Sequence, residues 1–398
     1  MPRDPEIHAP ESQDPDDRLI ASSSLNSRSP WRDPEKQVPY GIVLLAAAQL
    51  KWSPAAVLAR LGELGYADVQ RPEGPMPDAV EPDDTPLLQS VESKWGVKPV
   101  DVDTTLSLRQ IVESAAREER SPADVARRMT AYGYRVGTGA RPLPETANPR
   151  DIGLIRTNIR GAWLDWDDEA PAQHVLTVAQ ELSCSPLVAA ERLVELGVRL
   201  PYTPEPGDER ILRIRDAAPH SWIGPWGAPP VGHIIAVARE TGRTQADVVD
   251  RLRALGTQRP DGNVPETAEA DDLVLLSENL DGRAPWLWKN TVVGLQVHHI
   301  LRAAQITGRS PASVRERLTE LGHWLHDNAN LPETVDQADI DLLATVTRSY
   351  LDDVHLDNVL RSASLTGRSP ADVAARLTAL GYRLPDEVTY PETRGALR

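Results

Sequence analysis

A short pattern recurs six times along the chain, and no other feature limits the possible fold as strongly. Its clearest copy runs from Ala304 through Gly308, Ser310 and Val314 to Leu318. The same residue types return as Ala363, Gly367, Ser369, Val373 and Leu377, and as Ala238, Gly242, Thr244, Val248 and Leu252. A Leu-Gly or Tyr-Gly pair closes each copy at Gly65, Gly133, Gly197, Gly256, Gly322 and Gly381, giving intervals of 68, 64, 59, 66 and 59 residues. Self-similarity at so long a period marks a string of small supersecondary modules in place of one large core.

Each position of the pattern has a physical job. Ser53, Ser121, Ser185, Thr244, Ser310 and Ser369 stand where a helix needs an N-cap, and Pro follows in all copies but the fourth. Apolar residues four, eight and eleven places after the cap, such as Val373, Leu377 and Leu380, form one helical face. The closing Gly suits a left-handed cap. On the preceding helix, Ala47, Ala115, Ala179, Ala238, Ala304 and Ala363 share one position, which implies a helix crossing too close for a larger side chain. Two helices joined by a few residues give the helix–turn–helix geometry.

Arg recurs seven residues after every cap, as Arg60, Arg128, Arg192, Arg251, Arg317 and Arg376. In three copies an Asp four residues earlier could pair with it along the helix. The Arg persists where that Asp is missing, so it bridges to an acid elsewhere in its module or meets a partner. The six are therefore candidate interaction residues, and Arg317→Ala and Arg376→Ala are expected to change the stability of the isolated chain little.

After each helix pair comes an extended piece, then a variable acidic loop. Pro-Glu-Thr stands in several of these loops, beginning at Pro144, Pro265, Pro332 and Pro391. A small apolar cluster follows, and an aromatic residue closes the unit. Trp95, Trp163 and Trp286 each lie 30 residues beyond their closing glycine and read as core residues sealing a module. On this phasing the modules are 39–103, 104–171, 172–230, 231–292 and 293–356, with a partial sixth at 357–398. Residues 1–38 are polar and Pro-rich without apolar periodicity, and read as a disordered tail.

Charge argues against the usual role of a helix–turn–helix. The chain carries 43 basic and 59 acidic residues, net −16, and so repels a phosphate backbone. From cap to glycine the six second helices carry 0, +1, −1, 0, 0 and 0, whereas a groove-reading helix presents a basic or amide-rich face. Nucleic acid is therefore not the expected partner. The single cysteine, Cys184, excludes an internal disulfide framework. The N-terminus has no signal-peptide pattern, and the longest apolar run, near Gly41 to Leu50, is too short to span a bilayer. A cytoplasmic protein with no membrane contact is expected. The excess of Arg over Lys, with abundant Ala and Pro and no Phe, suggests an actinobacterial source.

Catalytic patterns are missing. His174, His233 and His299 recur at one helix position, but Ile42, Gln110 and Asn358 replace them in the other modules, which a metal scheme would not tolerate. No phosphate-cradling glycine loop, nucleophile elbow or Cys/His pair occurs. The expectation is a non-enzyme with no metal and no cofactor.

The string Asp272 to Leu287, followed by Thr-Gly-Arg-Ser-Pro-Ala and Arg-Leu-x-x-Leu-Gly, resembles the winged-helix-like repeats of actinobacterial proteins that also carry Hsp90-like ATPase or caspase-like modules. That resemblance implies a role in conflict, immune or cell-death signalling. The chain lacks the ATPase and protease motifs, so no catalytic residue carries over. The reading is a mainly α-helical tandem array of five to six degenerate winged helix–turn–helix modules of about 60–68 residues. It would act as a non-catalytic scaffold or adaptor that binds protein. The alternatives are a multi-module DNA-binding regulator and a regulatory fragment of a larger ATPase or protease.

Overall fold

The computed structural model describes residues 12–22, 31–90, 98–137, 142–157, 162–214, 222–278, 280, 288–289, 291, 294–324, 330–346, 354–385 and 388–392. The chain forms two compact bodies, Met1–Pro204 and Glu205–Arg398. Helices dominate both, as the capped, amphipathic pattern predicts, in a tandem array.

In the first body α1 (Pro15–Ala21) precedes the pair α2 (Tyr40–Leu50) and α3 (Pro54–Glu63). A 3₁₀ turn (Pro82–Asp84) and the antiparallel strands β1 (Gln89–Ser90) and β2 (Lys98–Pro99) precede α4 (Leu108–Arg117) and α5 (Pro122–Ala131). The third set is α6 (Asp151–Ile155), α7 (Ala172–Glu181) and α8 (Pro186–Glu195). The second body repeats this order three times. Its helices are α9 (Asp208–Leu212), α10 (Val231–Thr241), α11 (Gln245–Ala254), α12 (Asp272–Leu276), α13 (Val297–Thr307), α14 (Pro311–Glu320), α15 (Gln337–Val346), α16 (Leu356–Thr366) and α17 (Pro370–Ala379).

Each unit thus begins with a short helix or turn and ends in the helix pair, and in the first five units a narrow ribbon lies between the two. The ribbon is a single antiparallel bridge in four units: Ser22 with Trp31, Arg156 with Trp163, Arg213 with Trp222, and Ser277 with Trp288. The segments flanking the helix pair run side by side, as in the parallel bridges Val38–Val69, Leu106–Val136, Glu169–Arg199 and Pro230–Asp261. The N–H of Leu295 donates to the Trp324 carbonyl and that of Val354 to Arg383, both at 2.8 Å, in the same way.

This phasing corrects the boundaries drawn from periodicity. Residues 12–38 are not a featureless tail: α1 lies within them, with Ile20 and Ala21 fully buried. The boundaries at 103, 171, 230 and 292 fall between a unit's ribbon and its own helix pair, and that at 356 falls at the first residue of α16. The sixth unit has its own opening helix, α15, as well as the helix pair α16 and α17, so its start lies well before 357. Apolar periodicity found the helix pair, but the unit is set by what packs against that pair.

The second helices start as their sequences require. Ser53, Ser121, Ser185, Thr244, Ser310 and Ser369 each accept a backbone N–H of the first turn. The six closing glycines lie at φ between 87° and 92°, a conformation that Gly enters without strain. All six recurring alanines are buried, with Ala304 at 1% exposure. Ala304→Leu is expected to overpack this crossing and destabilise the chain by about 1–3 kcal/mol in denaturant melts; an unchanged midpoint would reject the close crossing.

Successive units in a body share a core through the first helix of the pair. Leu108 and Val112 of α4 lie in one apolar cluster with Leu154 and Ile155 of α6, the next unit's short helix. Val231 and Ile235 of α10 join Leu275 and Leu276 of α12 in the same way, and Val297 and Leu301 of α13 join Ile340 and Leu343 of α15. The helix's second residue meets the following ribbon. The Arg109 guanidinium lies 4.1 Å above the Trp163 ring, and a Cβ on Gly232 would come within 2.3 Å of Trp288.

Candidate functional site

The recurring arginines do not stand free. Each grips a buried aspartate that lies on, or at, the short element opening its own unit. Arg60 holds Asp17, Arg192 holds Asp151, Arg251 holds Asp208 and Arg317 holds Asp272, each through Nε and Nη2 at 2.6–2.9 Å. Arg376 takes Asp339 through the same two nitrogens. In the second unit Arg128 and Arg120 share Asp84, at 2.6 and 2.7 Å, and the Tyr132 hydroxyl donates to it as well. The six carboxylates are at most 2% exposed. A planar guanidinium suits this two-pronged grip, and a lysine ammonium does not.

Nearby groups finish the clasp. Arg192 also donates to the Thr146 hydroxyl and carbonyl and to Glu195, at 2.7–2.9 Å. Arg60 reaches Glu63 at 2.6 Å and Arg317 reaches Glu320 at 2.8 Å. The Arg60 hydrogen bonds hold the Asp17 carboxyl below its ordinary range. At Asp151 burial pushes the carboxyl up, with Arg192 opposing it.

The six arginines put forward as interaction candidates thus pair with an acid elsewhere in their own module, the first of the two roles their recurrence suggested, and with that acid buried the loss of Arg317 or Arg376 is expected to cost more than the sequence implied. Of the three expected helix pairs, Asp124–Arg128 forms at 3.4 Å. Asp247 instead bonds Thr244, and Asp372 bonds Ser369. The aspartates of the clasp were missed in the sequence. They sit five residues after Ser12, Thr146, Thr203, Thr267 and Thr334, with Ala79 in the second unit, and that spacing was the available signal.

The three recurring histidines also fasten the unit. The Nε2–H of His174 donates to the Leu154 carbonyl, that of His233 to Ile211 and that of His299 to Leu275, at 2.7–2.8 Å. Each acceptor lies three residues beyond the clasp aspartate. Among the described residues no group of three or more His, Cys, Asp or Glu could hold a metal ion. Burial, with Lys289 nearby, lowers His299 from about 6.5 to about 3, and burial lowers His174 and His323 too. The unfolded chain thus binds more protons through that window. The stability is fully present above about pH 6.5 and is lost as pH falls toward 3, by up to about 1.4 kcal/mol per pH unit for His299. Urea melts at pH 7 and pH 5 should show the loss, and His299→Gln should flatten it; an equal slope in both chains would exclude His299 as its source.

Trp163 packs under Arg109 and is half-buried. Trp95 and Trp286 lie outside the described residues, and Trp288 occupies the ribbon bridge of the fifth unit.

A family model described as wHTH-Hsp90_Na associated matches residues 12–66, 79–134, 146–198, 203–257, 267–323 and 334–382. The chain belongs to this family. Every family repeat begins at the position five residues before a clasp aspartate and ends one residue after a closing glycine. The Asp–Arg clasp therefore joins the two ends of each repeat. No curated protein and no solved structure matches the chain.

The outward face of the second helix is accessible in two repeats where a groove adjoins it. In the second repeat it borders a groove of about 1320 Å³ lined by Ala123, Ala126, Arg127, Thr130, Leu143 and Trp166, among others. In the fifth, the same helix positions, Ala312, Arg315, Glu316 and Thr319, border a groove of about 750 Å³ with Asn330 and Leu331. The linker also lies on the start of the helix. The N–H of Ala123 donates to the Pro144 carbonyl and that of Ala371 to Pro391, both at 3.2 Å. Among the described residues no single helix is long and apolar enough to cross a membrane.

Proposed function

We propose that the chain is a non-catalytic array that binds protein along the second-helix faces of its repeats. The observation that carries this reading is the internal engagement of the one cation that recurs on every second helix. A guanidinium held by a buried carboxylate has part of its donor set taken and its charge balanced, so it offers less to a phosphate than a free cation would. In two repeats the helix start, the part that enters a major groove in DNA-binding relatives of this geometry, lies under the chain's own linker. What stays open is a neutral surface with small side chains and mixed charge, which suits a polypeptide. The family description ties such repeats to an Hsp90-like module, and signalling built around an ATPase of that kind is the setting the reading favours.

Fluorescence anisotropy with duplex DNA tests it. No binding is expected even at low salt, where phosphate contacts are strongest. Tight binding that weakens steeply with salt would reject the reading in favour of a DNA-binding regulator.

A further inference from the structure

The residue directly after each closing glycine packs into its unit's interior. Tyr66, Tyr134, Val198, Thr257 and His323 hold this place in the first five repeats, all at most 8% exposed. Most of the polar ones reach a carbonyl. The Tyr66 hydroxyl donates to Arg32 at 2.8 Å and that of Tyr134 to Val100 at 3.2 Å, both at the returning arm of the unit's own ribbon. The Thr257 hydroxyl donates to Leu252 at 2.9 Å. His323 breaks the rule. It is 2% exposed, and neither of its ring nitrogens has a hydrogen-bond partner. A buried polar group in that state is costly to keep and calls for an explanation.

The acid nearest in effect is engaged elsewhere. Asp261, on the segment leaving the fourth repeat, accepts the Thr291 N–H at 2.9 Å and the Thr291 hydroxyl. The Thr291 carbonyl in turn accepts the Trp324 indole N–H at 2.9 Å. Beside this tie the two backbones touch: a Cβ on Gly322 would stand 2.8 Å from the Gly262 Cα. Burial holds His323 below its ordinary range, with Asp261 opposing and Lys289 assisting. His299 also faces His323, while His298 acts on His299 and Glu278 on Lys289. One carboxylate thus ties the fourth repeat's exit to the fifth repeat's ribbon, next to an imidazole with nothing to bond.

We propose that His323 is an acid switch for this seam: taking a proton from solvent, it draws Asp261 away from Thr291 and frees the fifth repeat's ribbon from the fourth repeat's exit segment. The imidazolium has two N–H donors and a positive charge, and Asp261 offers it an acceptor of opposite sign. The open state binds the proton more tightly than the closed one, so falling pH populates it. Thr291 then loses its acceptor and the Trp324 indole its fixed anchor, while the helices on either side stay folded. The switch works within one seam and needs no partner.

Amide exchange of the full chain at pH 7 and pH 5, corrected for the intrinsic effect of pH, tests it. Protection of the Thr291 amide should fall by about tenfold at the lower pH, while amides of α10 and α14 change by less than about twofold. His323→Gln cannot take the proton and should keep Thr291 protected at both pH values; His323→Leu serves the same purpose if the glutamine chain folds poorly. Asp261→Asn should remove the response, because its amide oxygen still accepts from Thr291 but offers the imidazolium no charge. His299→Gln should leave the response in place. Unchanged protection in the wild type, or a fall that survives in the His323 variants, overturns the switch. A fall that vanishes in His299→Gln assigns it to that histidine and overturns the switch as well.

Discussion

Arg192→Ala is expected to cost the chain about 3–5 kcal/mol, because it leaves Asp151 buried and unpaired. Both partners are nearly inaccessible: Arg192 is 8% exposed and Asp151 1%. The substitution also removes donors from the Thr146 hydroxyl and carbonyl. Arg192→Lys should recover part of the loss, since one ammonium cannot supply the parallel Nε and Nη2 bonds. Removing both charges with Arg192→Met and Asp151→Leu should cost far less than either charge alone, because desolvation of the pair disappears with it. Denaturant melts of the four chains decide the matter. Equal losses in single and double variants would mean that the clasp acts through packing and not through charge.

The second large effect is expected at the seam between the fourth and fifth repeats. Gly232 is the second residue of α10, and the six-membered face of Trp288 lies where its Cβ would stand. Gly232→Ala must therefore displace the indole or the helix, at about 2–3 kcal/mol, despite the better helix propensity of Ala. Combining it with Trp288→Ala should give strong non-additivity, since the smaller partner removes the clash. Additive losses would show that the ring does not bear on the glycine. Gly41 marks the same seam between the first two repeats, with the Pro99 Cβ at 2.5 Å from where its own would be.

The helix pair was legible in the sequence because its information is local. Caps, the Pro after the cap, the apolar face and the closing Gly all act within about four turns of chain. The unit's true start was not, because it depends on tertiary pairing. Asp17, Asp151 and Asp272 look like any of 59 acidic residues, and a ribbon of variable length separates each from its arginine. Periodicity therefore cut the chain near the start of each helix pair and gave the ribbons of the second to fifth repeats to the wrong neighbour. The arginines were found and their partners were not, since a side chain's recurrence reveals a constraint without naming what imposes it. The histidines show the same limit. Ile42 and Gln110 at the equivalent positions argued against metal, but only the structure supplied the carbonyls that His174, His233 and His299 reach.

The clasp also bears on how the protein is made. In the six repeats it links positions 37 to 45 residues apart in a chain of 398. Closing so short a loop costs little entropy compared with pairing distant ends. A repeat holds its full set of fasteners as soon as its last helix leaves the ribosome, without waiting for sequence still to be synthesised. Its first helix then offers a finished surface to the next repeat to emerge. Adding repeats would lengthen such a protein without raising the contact order of any step in its folding.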